Sequence, residues 1–167
     1  MAYTIGGDGL LDFSGCGSEE EMKRQAWDYY YEHLNQRRIV AWDNKLVRGF
    51  NKWAFDHVVT SSTNKWDVTR GHDGGFSERR ASCLPLIPRV VQGDLQSRSY
   101  RVLRRRGKRD VIRRVLSVIE IEHEYFIVVL EEDGDRYRFR TAFPSNKEYF
   151  QKCVRNDGTY CGICGRK

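Results

Sequence analysis

The rhythm of apolar and polar positions changes near the middle of the chain. Between Ser18 and Gln36 it is helical: Met22, Ala26, Tyr29, Tyr30 and His33 share one face, with Leu34 beside them. Ser18 suits the N-cap, Glu21 stands in the capping-box position, and Glu19, Glu20 and Glu21 favour the positive end of the helix dipole. Before this helix, residues 1–17 are glycine-rich and read as a flexible arm. After it, Arg38–Trp42 and Lys45–Phe50 predict a short hairpin across Asp43-Asn44. His57 lies inside the apolar segment Lys52–Val59, and a polar loop, Thr60–Phe76, holds His72. Ser77 caps a short helix running to Leu84, and Leu86–Val91 adds another turn after Pro85.

From Ser99 onward the period becomes two. Strands are expected over Ser99–Arg105, Asp110–Ile121, Glu124–Leu130 and Arg136–Thr141, with turn signals at Gly107 and Asp133-Gly134. Ser145 is placed to cap a last helix from Asn146 to Arg155, and residues 156–167 form a turn-rich tail with cysteines. The expected fold class is α+β: N-terminal helices followed by a four-stranded antiparallel β-meander and a C-terminal helix. One domain is expected over 18–155, with 1–17 as its arm and 156–167 as its tail.

Strict alternation in the last strand puts Tyr137, Phe139 and Thr141 on one face and Arg136, Arg138 and Arg140 on the other. Like charges in a row repel unless acids or an anionic ligand lie over them. One reading is a solvated face balanced by Glu131, Glu132 and their neighbours; the other is a sheet that binds a polyanion.

A chain of 167 residues with 40% hydrophobic and 13% aromatic content can bury a core of its own. Its net charge of +6 points towards nucleic acid, an anionic membrane surface or an acidic protein as partner. There is no run of about 18 apolar residues and no basic-then-apolar leader, so a cytoplasmic address and no membrane partner are expected. The five cysteines, an odd count, argue against a disulfide framework.

Three constellations carry candidate chemistry. The first is a basic run, with nine cations between Arg98 and Arg114 and Asp110 as the one acid. Within it Arg101, Arg104, Arg105, Arg106, Lys108 and Arg109, together with Arg79 and Arg138 elsewhere, are the candidate contacts to a phosphate backbone. The second is the pair Cys161 and Cys164, spaced as in a zinc knuckle but lacking a second pair, so that a structural zinc and a merely reduced pair are both open. The third is His57, His72, Arg79-Arg80 and the strand end Arg140-Thr141.

Here the chain resembles a family. A histidine in an apolar segment, a polar loop, a short helix with arginine, a Leu-Ile-Pro turn and a meander ending in Arg-Thr-Ala-Phe-Pro resemble the barnase–EndoU–colicin–RelE (BECR) fold, nearest its phage- and toxin-associated nuclease branches. The likeness covers Ile39 to Arg155; the cysteine tail lies outside the family's pattern. It implies RNA cleavage with no cofactor required: a 2′-hydroxyl attacks the adjacent phosphate, leaving a 2′,3′-cyclic phosphate. His57 would be base or acid, with His72 as the second acid–base group. Arg80 or Arg79 would hold the phosphate, Arg140 would stabilise charge and Thr141 would hydrogen-bond the phosphate. Tyr149 would be an acid or a stacking residue. The alternative is a non-catalytic nucleic-acid-binding or inhibitor protein that uses the arginine-rich hairpin. An acidic antitoxin or immunity protein would fit either reading as partner.

Overall fold

Ser18 opens helix α1 (Glu19–Tyr30) by accepting the Glu21 N–H at 3.2 Å, while the Glu21 carboxylate reaches back to the Gly17 N–H at 2.9 Å. The computed structural model describes residues 2–61, 75–118, 125–154 and 158–165, and of Arg106 only the backbone. The chain divides into two compact units, Met1–Arg37 with Phe50–Leu86 and Arg38–Gly49 with Ile87–Lys167.

The first unit is helical. After α1 the helix widens into a π turn, Tyr31–Asn35. Helix α2 (Lys52–Val59) is capped by Asn51, whose side-chain oxygen accepts the Ala54 N–H at 2.8 Å. It buries Ala54, Phe55, Val58 and Val59, the stripe that helical spacing predicts. Ser77 caps α3 (Glu78–Ser82) through the Arg80 N–H, as its sequence suggested. Tyr30 is fully buried; its hydroxyl donates to the Asn51 carbonyl at 2.9 Å, and its ring packs on Phe55. Tyr3, Leu11 and Phe13 are buried too, and the Leu11 N–H bonds the Ser82 carbonyl.

The second unit holds the whole sheet. Helix α4 (Leu86–Val91) begins at the boundary between the units. The strands are β1 (Ile39–Val40), β2 (Leu46–Arg48), β3 (Ser97–Arg106), β4 (Arg109–Val118), β5 (Tyr125–Asp133), β6 (Arg136–Ser145) and β7 (Thr159–Cys164), with α5 (Lys147–Val154) before the last. The sheet order is β1-β2-β6-β5-β4-β3-β7, and every pairing is antiparallel except β2 with β6. The expected architecture is therefore overturned. The meander β3–β6 forms the middle of a seven-stranded mixed sheet, and five helices among the described residues are spread along the chain. The hairpin β1–β2 adds to β6 through a parallel pairing ninety positions away, which no local pattern announces. Gly158 and Gly162 made the cysteine tail read as turns; it is the edge strand β7, with a bulge that absorbs Cys161 opposite the step from Ser99 to Tyr100.

One face of the sheet carries Val102, Val115, Ile127 and Val129, covered by Phe150, Cys153 and Val154 of α5. The opposite face buries Leu116, Val128, Leu130, Tyr137 and Phe139. On that face Trp42 stacks on Tyr137, whose hydroxyl donates to Asp43 at 2.7 Å. Burial, then the bond to Asp43, pushes the Tyr137 phenol far above its ordinary range. Helix α5 is capped by Asn146, which accepts the Tyr149 N–H at 2.9 Å, and not by Ser145, which ends β6.

The π turn positions a polar cluster. The Tyr3 hydroxyl donates to Glu32 at 2.8 Å and lies 2.6 Å from His33 Nε2, whose ring stacks on Tyr29. A phenol has one proton, so Nε2 of His33 carries the hydrogen that meets the Tyr3 oxygen. Burial, aided by Glu32, pushes the Tyr3 phenol up to about 12. Burial also lowers the His33 pKa from 6.5, against the pull of Glu32. Above pH 6.5 His33 is neutral in both the folded and unfolded chain, and folding is indifferent to it. Below that, the unfolded chain takes up a proton that the folded one resists, so His33 costs stability as pH falls. Urea midpoints between pH 8 and pH 5 are expected to drop more steeply for the parent than for His33→Gln; parallel curves would refute the assignment.

Candidate functional site

Strand β6 does not alternate strictly. Val129 pairs with Thr141 and Leu130 with Phe139, so Arg140 is an extra residue, a β-bulge. The bulge re-phases the strand. Tyr137 and Phe139 stay on the face opposite α5, while Thr141 moves to the α5 face with Val129 and Phe143. The sequence expectation that Thr141 shares a face with Tyr137 and Phe139 is thereby corrected. Its hydroxyl is buried and makes no hydrogen bond among the described residues, so a ligand reaches it only if a neighbouring side chain moves.

Residues paired across neighbouring strands share a face. Arg48, Arg138, Glu131 and Arg113 thus form one row across β2, β6, β5 and β4 on the α5 face. Arg140 turns its Nε onto Glu131 at 2.9 Å, and both side chains are well buried (17% and 10% exposed). Arg138 lies 3.8 Å from Asp133 and Arg136 3.7 Å from Asp135, but these groups are largely in water. Each of the three arginines of β6 therefore has a carboxylate, and that of Arg140 is the one with structural weight. Tyr149 is exposed on α5 with its ring edge-on to Phe143.

The basic run is not one patch. By register Arg98, Arg104, Arg109 and Arg113 lie on the α5 face and Arg101, Arg105 and Arg114 on the other. Arg101 grips Glu132 with two bonds (2.8 and 3.2 Å), and Arg114 bridges Glu132 and Ser99. Burial pushes the Glu132 carboxyl up, but the two guanidiniums outweigh it and hold it below the usual range. Arg104 donates to the Cys153 carbonyl at 3.0 Å. Arg105, Lys108 and Arg109 remain exposed at the tip.

In the helical unit His57 occupies the last turn of α2, half-buried and stacked on Trp53 (5.3 Å, 13°). Arg80, on α3, donates its Nε to the Val58 carbonyl at 2.7 Å. The Arg80 side chain, twenty-three positions along the chain, thus reaches the end of the helix whose last turn carries His57. Arg79, one position earlier, is exposed. His72 and the Arg106 side chain lie outside the described residues.

Cys161 is exposed at the β7 bulge and Cys164 is buried opposite Ser97. Burial pushes the Cys164 thiol up, which disfavours the thiolate that a metal takes. No group of three or more His, Cys, Asp or Glu side chains is gathered for a metal among the described residues.

Sequence reasoning named neither Glu131 nor Arg48 as a site residue. Glu131 had been seen only as a counter-charge, and Arg48 became relevant only through the parallel pairing. No helix among the described residues is long and apolar enough to cross a membrane. No family model matches the chain, and no curated protein or solved structure matches it.

Replacing Glu131 by Ala strips Arg140 of the carboxylate that holds its Nε. A loss of about 3 kcal/mol in urea unfolding is expected, the lower end for breaking a buried pair. A loss below about 1 kcal/mol would mean that the pair behaves as a solvated one.

Proposed function

We propose that this protein is an endoribonuclease of the phage or toxin type, with the BECR likeness of its motif order as its family setting. The observation that carries the reading is the Arg80–Val58 bond, which brings the Arg80 guanidinium to the end of α2 whose last turn carries His57. An acid–base group beside a fixed guanidinium is what phosphodiester cleavage needs. His57 takes the proton from the ribose 2′-hydroxyl, the 2′-oxygen bonds to phosphorus, and the bond to the 5′-oxygen breaks. A second acid protonates that oxygen, leaving a 2′,3′-cyclic phosphate and a 5′-hydroxyl. Arg80 holds the phosphate and offsets the charge that grows on it. Histidine suits the role because its ordinary pKa lies near neutrality. Arg140 and Thr141 lie in the sheet unit, where Arg140 is bound to Glu131 and the Thr141 hydroxyl is buried, and the reading does not depend on them. Transfer RNA is a reasonable first substrate, and an acidic antitoxin a reasonable inhibitor of so cationic a chain.

A second reading, a nucleic-acid-binding protein without chemistry, draws on the exposed Arg105, Lys108 and Arg109. Incubation with transfer RNA in EDTA separates the two. The nuclease reading expects cleavage with cyclic-phosphate ends, lowered at least ~100-fold in His57→Ala and in Arg80→Lys, with melting temperatures unchanged. Salt-sensitive RNA binding without cleavage, weakened by loss of Arg105, Lys108 and Arg109, would favour the second.

A further inference from the structure

Arg48 and Arg138 stand directly opposite one another in the parallel pairing of β2 with β6. Neighbouring strands lie about 4.8 Å apart, so the two side chains rise from adjacent positions on one face. Both are exposed. Arg48 has no carboxylate partner among the described residues, and Arg138 has only Asp133, at 3.8 Å and in water. The next residue in the row, Glu131, has its close ion pair with Arg140.

The backbone enforces this approach. Gly49 has φ +96°, and a Cβ there would lie 3.0 Å from Cγ of Arg138 and 3.1 Å from the Phe139 carbonyl. Only glycine at this position lets the end of β2 press so closely on the Arg138 stem. Like charges held directly opposite one another destabilise a sheet; Glu131, across from Arg138, is engaged with Arg140, and Asp133 sits 3.8 Å from Arg138 in water.

We propose that Arg48 and Arg138 form a two-guanidinium clamp for a phosphodiester group of single-stranded nucleic acid. This deepens the RNA-cleaving reading and rests on it for the choice of ligand. The clamp lies on the sheet face that carries Thr141, two positions along β6 from Arg140. It holds one backbone phosphate of the strand between the two guanidiniums. Each guanidinium presents a fork of N–H donors that fits phosphate oxygens.

The test uses the full chain and a fluorescent DNA single strand of about 12 nucleotides, a length in the range such grooves cover. DNA lacks the 2′-hydroxyl and is not cut by the proposed route, so binding is read apart from cleavage. Anisotropy titrations across salt are expected to give a slope that falls by about 0.7 in Arg48→Ala and again in Arg138→Ala, one phosphate contact each. Arg48→Glu places an acid opposite Arg138; it is expected to melt no lower than the parent while losing affinity, which separates lost binding from lost folding. An unchanged slope in Arg48→Ala overturns the clamp, as does a parent that does not bind the strand. So does inorganic phosphate or poly-glutamate binding in an Arg48-dependent way while strand binding does not depend on Arg48. Should RNA stay uncut while the slope changes as expected, the nuclease reading falls and the clamp stands. Should RNA be cut while the slope stays fixed, the clamp alone falls.

Discussion

The buried ion pair between Arg140 and Glu131 holds the phase of β6, and much of the sheet unit follows from that phase. An extra residue in a strand leaves a backbone position unpaired and turns every later side chain to the other face. Here the turn is useful. Before the bulge Tyr137 and Phe139 bury one way; after it Phe143 packs with Ile127 and Val129 under α5 while Ala142 buries the other way. A strict alternation would send Phe143 to the Tyr137 face and open a gap under α5. The residue that makes the shift is an arginine, which has a long stem and a charge to place. Glu131, on the neighbouring strand, takes that charge at 2.9 Å.

Charge accounting separates the arginines by role better than counting them does. A guanidinium paired with a buried carboxylate is committed to the fold, because breaking such a pair costs several kcal/mol, roughly 3–5. Arg140 is in this class, and Arg114 and Arg101 approach it through Glu132. A guanidinium near an exposed acid at 3.7–3.8 Å, such as Arg136 or Arg138, gains about 1 kcal/mol at most and is available to a ligand. The dense cationic run of the sequence divides under this test. Its middle is spent on Glu132 and the Cys153 carbonyl, and its tip keeps Arg105, Lys108 and Arg109 in water.

What the sequence made legible was local. Ser18 and Ser77 announced their helices because capping is a matter of three or four positions. The Gly107 and Gly134 turns were legible because each has φ +61°, a conformation that favours glycine. The middle strands were legible because period-two patterning is written in consecutive residues. What escaped was non-local. The β1–β2 hairpin was legible, but its parallel docking on β6 joins Val47 to Tyr137, which no local pattern announces. The bulge escaped for a related reason: a strand with one extra residue has the same composition as a regular one, and only its partner reveals the offset. Of the candidate site, the sequence grouped His57 with Arg80, and the Arg80 side chain bonds the carbonyl of Val58, the residue after His57. Glu131 was noticed as a charge and not as the group on which Arg140 depends.

The two units divide the candidate chemistry in a way that the physical properties of each explain. His57, the candidate acid–base group, sits in the last turn of a helix whose other face is buried, so its backbone is fixed while its ring stays half in solvent. Such a position suits proton transfer, which needs a group that is both placed and hydrated enough to change charge. The sheet unit supplies rows of guanidiniums set by strand register, a repeating geometry that suits a repeating ligand such as a phosphate backbone. Helix ends give single well-placed groups and sheets give spaced series. His57 and Arg80 are candidate groups of the first kind, and the exposed Arg48 and Arg138 belong to a series of the second.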